Sequence, residues 1–375
     1  MRVGISCYPT YGGSGIVATE LAMALAERGD EVHVISYALP SRLSFINPRI
    51  YFHEVVTPTY PLFDNYPPFS LALSTKMVEV ARHAPLDVLH VHYAIPNAVS
   101  AVMARQIVAP QALPVVTTLH GTDVTLVGND PNYLETTRWG IVQSDAVTAV
   151  SESLRRTTVE QIGVCKDIEV VPNFVDPARY EAAQAGPGAR RWAKPGERIL
   201  VHISNFRPVK RVLDVIGIFQ RVEQKVPSRL ILVGDGPERG KVEQYCREHH
   251  ICGAITFVGS FPLVEEVLVG ADLFLLPSES ESFGLSALEA MGCKVPVIAS
   301  RAGGLPEVVA DGETGFLCPV GDVDGMAAAA LKLLTDDDLH RRFGEAGRRR
   351  AVDQFGQDTV VQRYRSIYQR LTQLP

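Results

Sequence analysis

Short apolar runs that alternate with stretches of helical length are the feature of this sequence that most restricts its fold. The runs 88–91, 115–119 and 273–276 are rich in branched side chains, as buried strands are. The stretch 16–28 is typical of the intervening helices, and Gly29 follows it as a helix-ending residue. Because this alternation continues along the chain, it predicts the α/β class, with mostly parallel, doubly wound sheets covered by helices on both faces.

Length and one shift in composition divide the chain. A length of 375 residues suggests two domains. The segment 181–196 (EAAQAGPGARRWAKPG) has the small, Gly/Pro and charged residues of an interdomain linker. We therefore expect an N-terminal domain over residues 1–180, this linker, a second α/β domain over 197–355 and a C-terminal helix within 356–375.

The charge balance and the cysteines argue against several classes of function. A formal net charge of -6 disfavours non-specific nucleic-acid binding, and we interpret the arginine run 348–350 as a solvated helical face rather than a basic patch. Six cysteines are scattered without a C-x-x-C pair, which indicates reduced thiols rather than a zinc or disulfide framework. The sequence shows neither the pattern of a signal peptide nor an apolar stretch of spanning length. We expect a cytoplasmic protein with no nucleic-acid or membrane partner.

The segment 277–296 carries the strongest functional signal. A polar loop leads from a strand into a helix start around Phe283 and Gly284, where unpaired backbone N–H groups favour an anion. Glu281 and Glu289 flank this loop, and carboxylates accept hydrogen bonds from vicinal hydroxyls. This layout suggests a sugar nucleotide, with its sugar near Glu281, its diphosphate near Ser282 to Leu285 and its ribose near Glu289. The alternative is an amphipathic helix with solvated acids.

The segment 204–211 (SNFRPVKR) is a second anion-binding candidate. It places Arg207, Lys210 and Arg211 where a strand leads into a helix predicted over residues 209–225. Basic residues in a first helical turn oppose the helix dipole, a conflict that a bound diphosphate removes. We therefore expect charge-assisted bonds from these side chains to phosphate.

A glycine loop follows the first strand. Gly13, Ser14, Gly15 and Ala18 match the dinucleotide fingerprint G-x-G-x-x-A. An NAD-dependent oxidoreductase also needs an acidic residue at the end of strand two, and the letters ISYALP stand there instead. The loop therefore indicates close approach of backbone to a ligand rather than NAD.

Polar residues follow two further strands, where open α/β sheets bind ligands. His92 and Tyr93 end one strand, and His120 precedes Thr122 and Asp123 after the next. We interpret His90 and His92 as structural residues and His120 as a functional one, because its loop is rich in donors and acceptors.

A D-x-D pair raises the question of a metal. Such pairs can hold Mg²⁺ or Mn²⁺, but Asp322 precedes a predicted helix that runs to Leu334. We interpret Asp322 in the pair Asp322–Asp324 as an N-cap and predict no metal site.

The letters ESFGLSALE from Glu281 to Glu289 resemble the E-x7-E element of family 4 retaining glycosyltransferases. The resemblance implies the GT-B architecture, two Rossmann-like domains facing each other across a cleft, with the last helix returning to the first domain. It also implies metal-independent stabilisation of the leaving diphosphate by Lys, Arg and helix dipoles. The family's R-x-x-x-x-K pattern falls on Asn205 and Lys210 here, so Lys210 carries over and Arg207 or Arg211 replaces the missing arginine.

Several segments resemble one branch of this family, namely CYPTYGGSGIVATELA, HVHYAIPNA, TLHGTDVTLVG, SNFRPVKR and PSESESFGL. Members of that bacterial branch transfer N-acetylglucosamine from UDP to the hydroxyl of L-malate in bacillithiol synthesis. The small-molecule partners implied are UDP-GlcNAc and L-malate, with no cofactor, and a homo-oligomer stays open. Alternatives are a phospho-inositol or lipid acceptor, a UDP-GlcNAc epimerase, and a binding module without turnover.

The resemblance also implies roles for individual residues. The catalytic residues implied are His120, Lys210 and Glu281. The donor-binding residues are Gly13, Ser14, Gly15, Asn205, Arg207, Lys210, Arg211, Ser282, Phe283, Gly284, Leu285 and Glu289. The acceptor-binding residues are Thr10, Tyr11, Gly12, Ser14, Tyr93 and Thr122, with Arg138 or Arg155 for the malate carboxylates.

Overall fold

The chain forms two compact units. The structure, a computed structural model, describes residues 1–10, 12–43, 46–57, 68–183, 186 and 188–373. Unit 1 comprises Met1–Pro172 together with Asp358–Pro375, and unit 2 comprises Asn173–Gln357. The last stretch of chain thus belongs to the same unit as the first.

The described residues of unit 1 form one sheet of seven parallel strands. In chain order the strands are β1 (Arg2–Ser6), β2 (Glu31–Ser36), β3 (Ile50–Glu54), β4 (Val88–His92), β5 (Val115–Leu119), β6 (Ala146–Ala149) and β7 (Glu169–Val170). Their order across the sheet is β3-β2-β1-β4-β5-β6-β7. The chain builds outward from β1 on one side and then crosses back to build on the other. The position between β1 and β4 is therefore the topological switch point of this sheet.

Helices connect these strands. They are α1 (Gly13–Glu27), α2 (Phe69–His83), α3 (Val99–Val108), α4 (Thr122–Thr125), α5 (Leu134–Gln143) and α6 (Glu152–Thr157), with π-helical turns at Ala94–Ala98 and Thr158–Ile162. Helix α1 ends where the sequence predicts, because Gly29 takes a φ of +91° that side chains resist. Helices α2 and α3 bury their apolar faces together with β4 and β5, for example through Met77, Ala101 and Val115.

Unit 2 repeats this plan. Its strands are β8 (Arg198–Ile203), β9 (Ser228–Val233), β10 (Ile255–Gly259), β11 (Leu273–Leu276), β12 (Val297–Ser300) and β13 (Gly315–Cys318). They form a parallel sheet in the order β10-β9-β8-β11-β12-β13. The switch point of this sheet lies between β8 and β11.

The helices of unit 2 lie before, between and after these strands. They are α7 (Pro177–Ala183), α8 (Val212–Glu223), α9 (Arg239–Glu248), α10 (Glu265–Leu268), α11 (Leu285–Gly292), α12 (Leu305–Val308), α13 (Val323–Leu334) and α14 (Asp337–Phe355). Short 3₁₀ helices occupy Gly188–Trp192, Pro208–Lys210 and Cys252–Ala254. Helices α8 and α13 pack on the sheet through a large apolar core that includes Phe219 and Leu333.

The final helix, α15 (Gln357–Thr372), packs on unit 1. Tyr364 and Tyr368 of this helix are fully buried. The Tyr368 hydroxyl lies 2.7 Å from Nδ1 of His90, at the centre of the sheet of unit 1. A polar contact between two buried side chains ties the end of the described chain to one of its central strands.

The predicted α/β class is confirmed, whereas three local expectations differ from the structure. Within the segment expected to be a linker, the described residues 188–196 pack on unit 2, since Ala189 donates its amide to the Val269 carbonyl. The helix expected from residue 209 begins at Val212, because Arg211 adopts a left-handed φ of +49°. The arginine run at 348–350 was expected to be solvated, but Arg348 donates to the Gly292 carbonyl and Arg350 to the Val308 carbonyl.

Two glycines after β9 let the chain approach the loop that follows β8. Gly234 has a φ of +120°, and a Cβ there would lie 1.8 Å from the Ser204 carbonyl oxygen. A Cβ at Gly236 would lie 2.0 Å from the Asn205 carbonyl oxygen. Both glycines are therefore required for the position of the basic turn 204–211.

We expect Gly234→Ala to lower the free energy of unfolding of unit 2 by about 2 kcal/mol or more, from backbone strain and the clash with Ser204. Gly240→Ala is the matched control, because a Cβ at Gly240, in the first turn of α9, meets nothing within 4 Å. The control should be neutral or stabilising by up to about 1 kcal/mol. Urea unfolding reported by Trp192 in a Trp139→Phe background measures both, and equal stability of the two variants would contradict the close approach.

Candidate functional site

The residues that the sequence singles out collect at the two switch points. In unit 1 Gly12 caps α1, which begins at Gly13 rather than at the expected residue 16, so Gly13 to Gly15 lie in its first turn, and Tyr93 follows β4 directly. In unit 2 the loops after β8 and β11 contain Lys210 and Glu281, respectively. Ligands of open α/β sheets bind at this edge, because the loops there diverge.

Lys210 and Glu281 contact each other directly. The Lys210 Nζ lies 2.5 Å from Oε1 of Glu281, and the Ser278 hydroxyl donates to the same oxygen at 3.0 Å. Both partners of the ion pair are largely buried, with side chains 19% and 12% exposed. The amide of Glu279 also donates to the Val209 carbonyl at 2.8 Å, which joins the two loops through their backbones. A cation and a carboxylate are thus held side by side at the switch point.

The turn between β12 and α12 contacts the backbone of Glu281. The Gly304 amide donates to the Glu281 carbonyl at 2.8 Å, and a Cβ on Gly303 would lie 1.9 Å from that carbonyl oxygen. Gly303 has a φ of +55°. These two glycines therefore fix the backbone from which the Glu281 side chain projects.

Helix α11 begins directly after this loop. Gly284 precedes its first residue, Leu285, with a φ of +98°, and Leu305 occupies the space that a Cβ would need. The first-turn amides of α11 have no carbonyl partners within the helix. Phe283 is buried and packs edge-on against Phe355, so Ser282 and Gly284 on either side of it are held in place. Glu289 lies inside α11 and is 5% exposed, which excludes the solvated-acid alternative for that residue.

The basic turn after β8 is held by a buried histidine. His202 lies with Nδ1 2.8 Å from the Leu275 carbonyl and Nε2 2.8 Å from the Ser204 hydroxyl. Burial lowers the pKa of His202 to about 4, so the ring is neutral at physiological pH. The sequence pattern predicts no role for His202. Its contacts link β8 to β11 at the point where both lead into the site.

The two arginines of the basic turn 204–211 differ in their ion pairing. Arg211 donates from Nε to Oδ2 of Asp214 at 2.7 Å. Arg207 and Asn205 are exposed, and Arg207 has no ion-pair partner among the residues that the structure describes. Only one of the two guanidinium groups is therefore held in a local pair.

Unit 1 brings Ser14 and Tyr93 together. The Ser14 hydroxyl donates to the Tyr93 hydroxyl at 2.8 Å, and the Tyr8 ring packs edge-on against Tyr93 at 5.4 Å. Tyr93 has a φ of +82°, a strained conformation for a bulky residue and one that clusters at functional sites. Gly15 must be glycine, since a Cβ there would lie 2.5 Å from the Tyr8 carbonyl oxygen.

Three histidines form a row beside Tyr93, in which His90 and His92 are buried and His120 is partly exposed. Nδ1 of His92 lies 2.8 Å from Nε2 of His120, and the rings of His90 and His92 are 4.5 Å apart. Burial lowers the pKa of His90 and of His120 to about 3, and that of His92 well below its usual value. All three rings are therefore neutral at physiological pH.

Asp123 holds the backbone around His120. Its carboxylate accepts hydrogen bonds from the amides of Ala94 at 3.0 Å, Gly121 at 2.9 Å and His120 at 3.2 Å. Asp123 is 1% exposed, and burial is the main cause that raises the pKa of its carboxyl group. One side chain thus fixes the loops after β4 and β5 together.

The remaining acceptor candidates are more dispersed. Thr10 and Thr122 are exposed, Gly12 is the N-cap of α1, and Tyr11 lies outside the described residues. Arg155 lies in α6, just beyond the carboxyl end of β6, and pairs with Glu152. Arg138 lies within α5 and donates to the Ile162 carbonyl and to Glu135. Of the two arginines, Arg155 is the one in a helix that begins just beyond the carboxyl end of a strand, at the ligand-binding edge.

The D-x-D pair has a structural role. Oδ1 of Asp322 accepts from the Gly325 amide at 2.9 Å, as an N-cap of α13, and Asp324 pairs with Arg221 at 2.5 Å. The prediction of an N-cap is confirmed. Within the described ranges, no group of three or more His, Cys, Asp or Glu side chains is arranged to hold a metal ion. No described helix has both the length and the apolar character needed to cross a membrane.

Besides the role of His202, sequence reasoning missed the contact between His92 and His120 and the hydrogen bonds of Asp123. His90 and His92 are two residues apart on one strand, so both point to one face of the sheet. His120 directly follows β5, the strand that pairs with β4. The alternation of side chains along β4 could have indicated a contact between His92 and His120. No sequence pattern indicates that three backbone amides donate to the Asp123 carboxylate.

Comparison with protein-family models gives two matches. The model described as Glycosyltransferase Family 4 matches residues 11–179, and the model described as Glycosyl transferases group 1 matches residues 189–350. Among characterised sequences, N-acetyl-alpha-D-glucosaminyl L-malate synthase of Bacillus anthracis is 48% identical over 369 residues. The alignment covers 98% of this chain and 96% of that protein.

Solved structures share the fold. Sucrose-phosphate synthase from Thermosynechococcus elongatus has a TM-score of 0.80 at 22% identity and covers 99% of both chains. The Anabaena protein HepE in complex with UDP-glucose has a TM-score of 0.80 at 20% identity, covering 99% of this chain and 100% of that one. The two parallel-sheet units are thus Rossmann-like and of the GT-B type.

The neutral histidines predict an acid-sensitive unit 1. Unfolded histidine titrates near pH 6.5, so the unfolded state binds more protons than the folded state between pH 6.5 and about 3. Stability is therefore full above pH 6.5 and is lost as the pH falls. From pH 7 to pH 5 the loss should be about 2 kcal/mol for His90 alone.

We expect His90→Asn to reduce this pH dependence by about 2 kcal/mol, while His83→Asn, at an exposed position, leaves it unchanged. Urea unfolding at pH 7 and pH 5 measures it, with the fluorescence of Trp139 reporting on unit 1 in a Trp192→Phe background. An unchanged pH dependence in His90→Asn would mean that His90 is protonated in the folded state.

Proposed function

Because the chain belongs to glycosyltransferase family 4, we propose that it transfers N-acetylglucosamine from UDP-GlcNAc to the hydroxyl of L-malate. This reaction is the first step of bacillithiol synthesis. The observation that carries the choice of acceptor is the 48% identity, over 98% of this chain, to the L-malate synthase of Bacillus anthracis. We further propose that the enzyme is bacterial and cytoplasmic, retains the anomeric configuration, and needs neither a metal nor another cofactor.

The contact between Lys210 and Glu281 supports a sugar nucleotide as donor. A sugar diphosphate places hydroxyl groups next to a phosphate, and therefore needs a carboxylate next to a cation. Lys210 and Glu281 meet at 2.5 Å, at the switch point of unit 2. In the proposal Lys210 turns to the phosphate when the donor binds, and Glu281 accepts hydrogen bonds from sugar hydroxyls.

Arg207 is the proposed second cation. Position 205, where the family pattern has arginine, is Asn205 here, and Arg211 is already paired with Asp214. Arg207 is exposed in the same turn. We therefore assign the second phosphate contact to Arg207, with the first-turn amides of α11 as further donors.

The reaction breaks the bond between the anomeric carbon and the UDP oxygen, and forms a bond from that carbon to the malate hydroxyl oxygen. The proton of the malate hydroxyl passes to the departing phosphate on the same face of the sugar. Negative charge grows on the phosphate oxygens, where Lys210 and Arg207 act. Positive charge grows on the sugar, so a protonated histidine nearby would oppose the reaction. The low pKa of His120, which burial causes, keeps this residue neutral.

Unit 1 is the proposed acceptor unit. The hydroxyls of Ser14 and Tyr93 already hydrogen bond each other and form a polar pair at the switch point. Malate carries two carboxylates and needs a cation. We propose Arg155 for this role, because α6 begins at the ligand-binding edge of the sheet, whereas Arg138 is held by the Ile162 carbonyl.

The direct test is UDP release from UDP-GlcNAc with and without L-malate, in the presence of EDTA. Release that requires malate and persists in EDTA would support the donor, the acceptor and metal independence together. Release without malate would indicate an epimerase or hydrolase, and no release under either condition would contradict the proposal. The anomeric proton coupling in the product distinguishes retention from inversion.

The two arginines of the basic turn give a matched pair of variants. We expect Arg207→Ala to lower kcat/KM by about 10- to 100-fold, since one charge-assisted bond to phosphate contributes about 1.5–3 kcal/mol. Arg211→Ala loses only its pair with Asp214 and should change kcat/KM by less than about threefold. Initial rates of malate-dependent UDP release measure both, and the opposite order would assign the phosphate contact to Arg211.

A further inference from the structure

We propose that His92 is a positioning residue that fixes His120 in its Nδ1–H tautomer. His120 then offers an N–H group, rather than a lone pair, to a ligand hydroxyl at the ligand-binding edge of the unit 1 sheet. The role of that N–H rests on the proposed function, whereas the tautomer follows from unit 1 alone. Sequence reasoning treated His92 as a structural residue, so the structure assigns it a new role.

The contact between the two rings allows two arrangements. Nδ1 of His92 and Nε2 of His120 are 2.8 Å apart, so one of these nitrogens must carry the hydrogen. If His92 donates, its own proton is on Nδ1 and that of His120 is on Nδ1. If His120 donates, its proton is on Nε2 and the proton of His92 is on Nε2. The choice at His92 therefore sets the tautomer of His120.

The environment of His92 selects the first arrangement. Its Nε2 is buried and has no hydrogen-bond partner among the described residues. In the second arrangement this atom would be an N–H donor with nothing to receive it. In the first it is only an unfilled acceptor. A buried donor without a partner is the costlier of the two, and such groups are rare in proteins.

The neighbouring histidine cannot relieve Nε2 of His92. Both nitrogens of His90 are occupied, by the Tyr368 hydroxyl and by the Thr118 hydroxyl, each at 2.7 Å. The backbone of His92 is held as well, because Asn97 donates from Nδ2 to its carbonyl at 2.6 Å. Among the described residues, His120 is therefore the one hydrogen-bond partner available to the ring of His92.

His120 is thus held at two points. Asp123 accepts from its backbone amide, and His92 donates to Nε2 of its ring. Nδ1 of His120 makes no hydrogen bond to any described residue and remains for a ligand. Because burial lowers the pKa of both rings, each carries a single proton at physiological pH. The position of that one proton therefore defines the tautomer of each ring. The pair delivers one N–H in a defined direction.

Two nearly isosteric substitutions separate this role from simple packing. In His92→Asn the side-chain amide can place an N–H where Nδ1 now lies, and we expect kcat within about threefold of the wild type. In His92→Asp only an acceptor is available there, so His120 must donate from Nε2 and lose its N–H toward the ligand. We expect a loss in kcat of about 10²-fold, typical of removing one donor from a transition state, with little change in KM. The aspartate should also add an acidic limb to the pH profile, because a carboxylate favours the imidazolium.

The tautomer itself is measured by long-range ¹⁵N–¹H correlation NMR of histidine-labelled protein without substrate. His120→Gln identifies the signals of His120. We expect Nδ1 of His120 to be protonated in the wild type and in His92→Asn. Protonation of Nε2 in the wild type would overturn the proposal, as would equal kcat values in the Asn and Asp variants. If the wild type shows no malate-dependent turnover, the proposed function fails, while the NMR result still decides the tautomer.

If His92→Asp does not fold, NMR of the wild type and of His92→Asn still tests the proposed tautomer of His120. The proposal then stands only if both show the Nδ1–H tautomer of His120, and it is contradicted if either does not.

Discussion

The order in which parallel strands join each sheet is the constraint on which the rest of the structure depends. In both units the first strand lies in the middle, and the fourth is added on the side opposite to the second and third. The loops after these two central strands therefore diverge and leave backbone groups open at one edge. Tyr93 and the α1 start occupy that edge in unit 1, and Lys210 and Glu281 occupy it in unit 2. The strand order of each unit therefore decides where its candidate site residues lie, whichever side chains occupy those positions.

The sequence predicted those parts of the site that local chemistry encodes. A strand, a polar loop and a helix start are neighbours in the chain, so Glu281 and the α11 amides could be placed from a short segment. The basic turn around Lys210 was found in the same way. The contact between Lys210 and Glu281 joins loops that are 71 positions apart, and only the strand order brings them together. No pattern within either loop states it.

The parts that sequence reasoning missed are long-range polar contacts of buried groups. Asp123 was noted only as part of a polar loop, because its partners include the amide of Ala94 on another connection. Arg348 and Arg350 read as a solvated charge run, but each donates to the carbonyl at or near the end of a short helix. A charged side chain that satisfies backbone carbonyls cannot be told from a solvated one by its spacing. Only the tertiary structure shows whether such a side chain is solvated or donates to a backbone carbonyl.

The docking of α15 has a consequence for how the protein is made. Tyr364 and Tyr368 complete the interior of unit 1, and the Tyr368 hydroxyl satisfies His90 on a central strand. Unit 2 is contiguous in the chain and lies between the two parts of unit 1. At a synthesis rate of roughly 5–20 residues per second, the ribosome needs about ten seconds or more to make unit 2. Throughout that interval the first unit to emerge lacks its last helix, so the unit begun first is the one completed last.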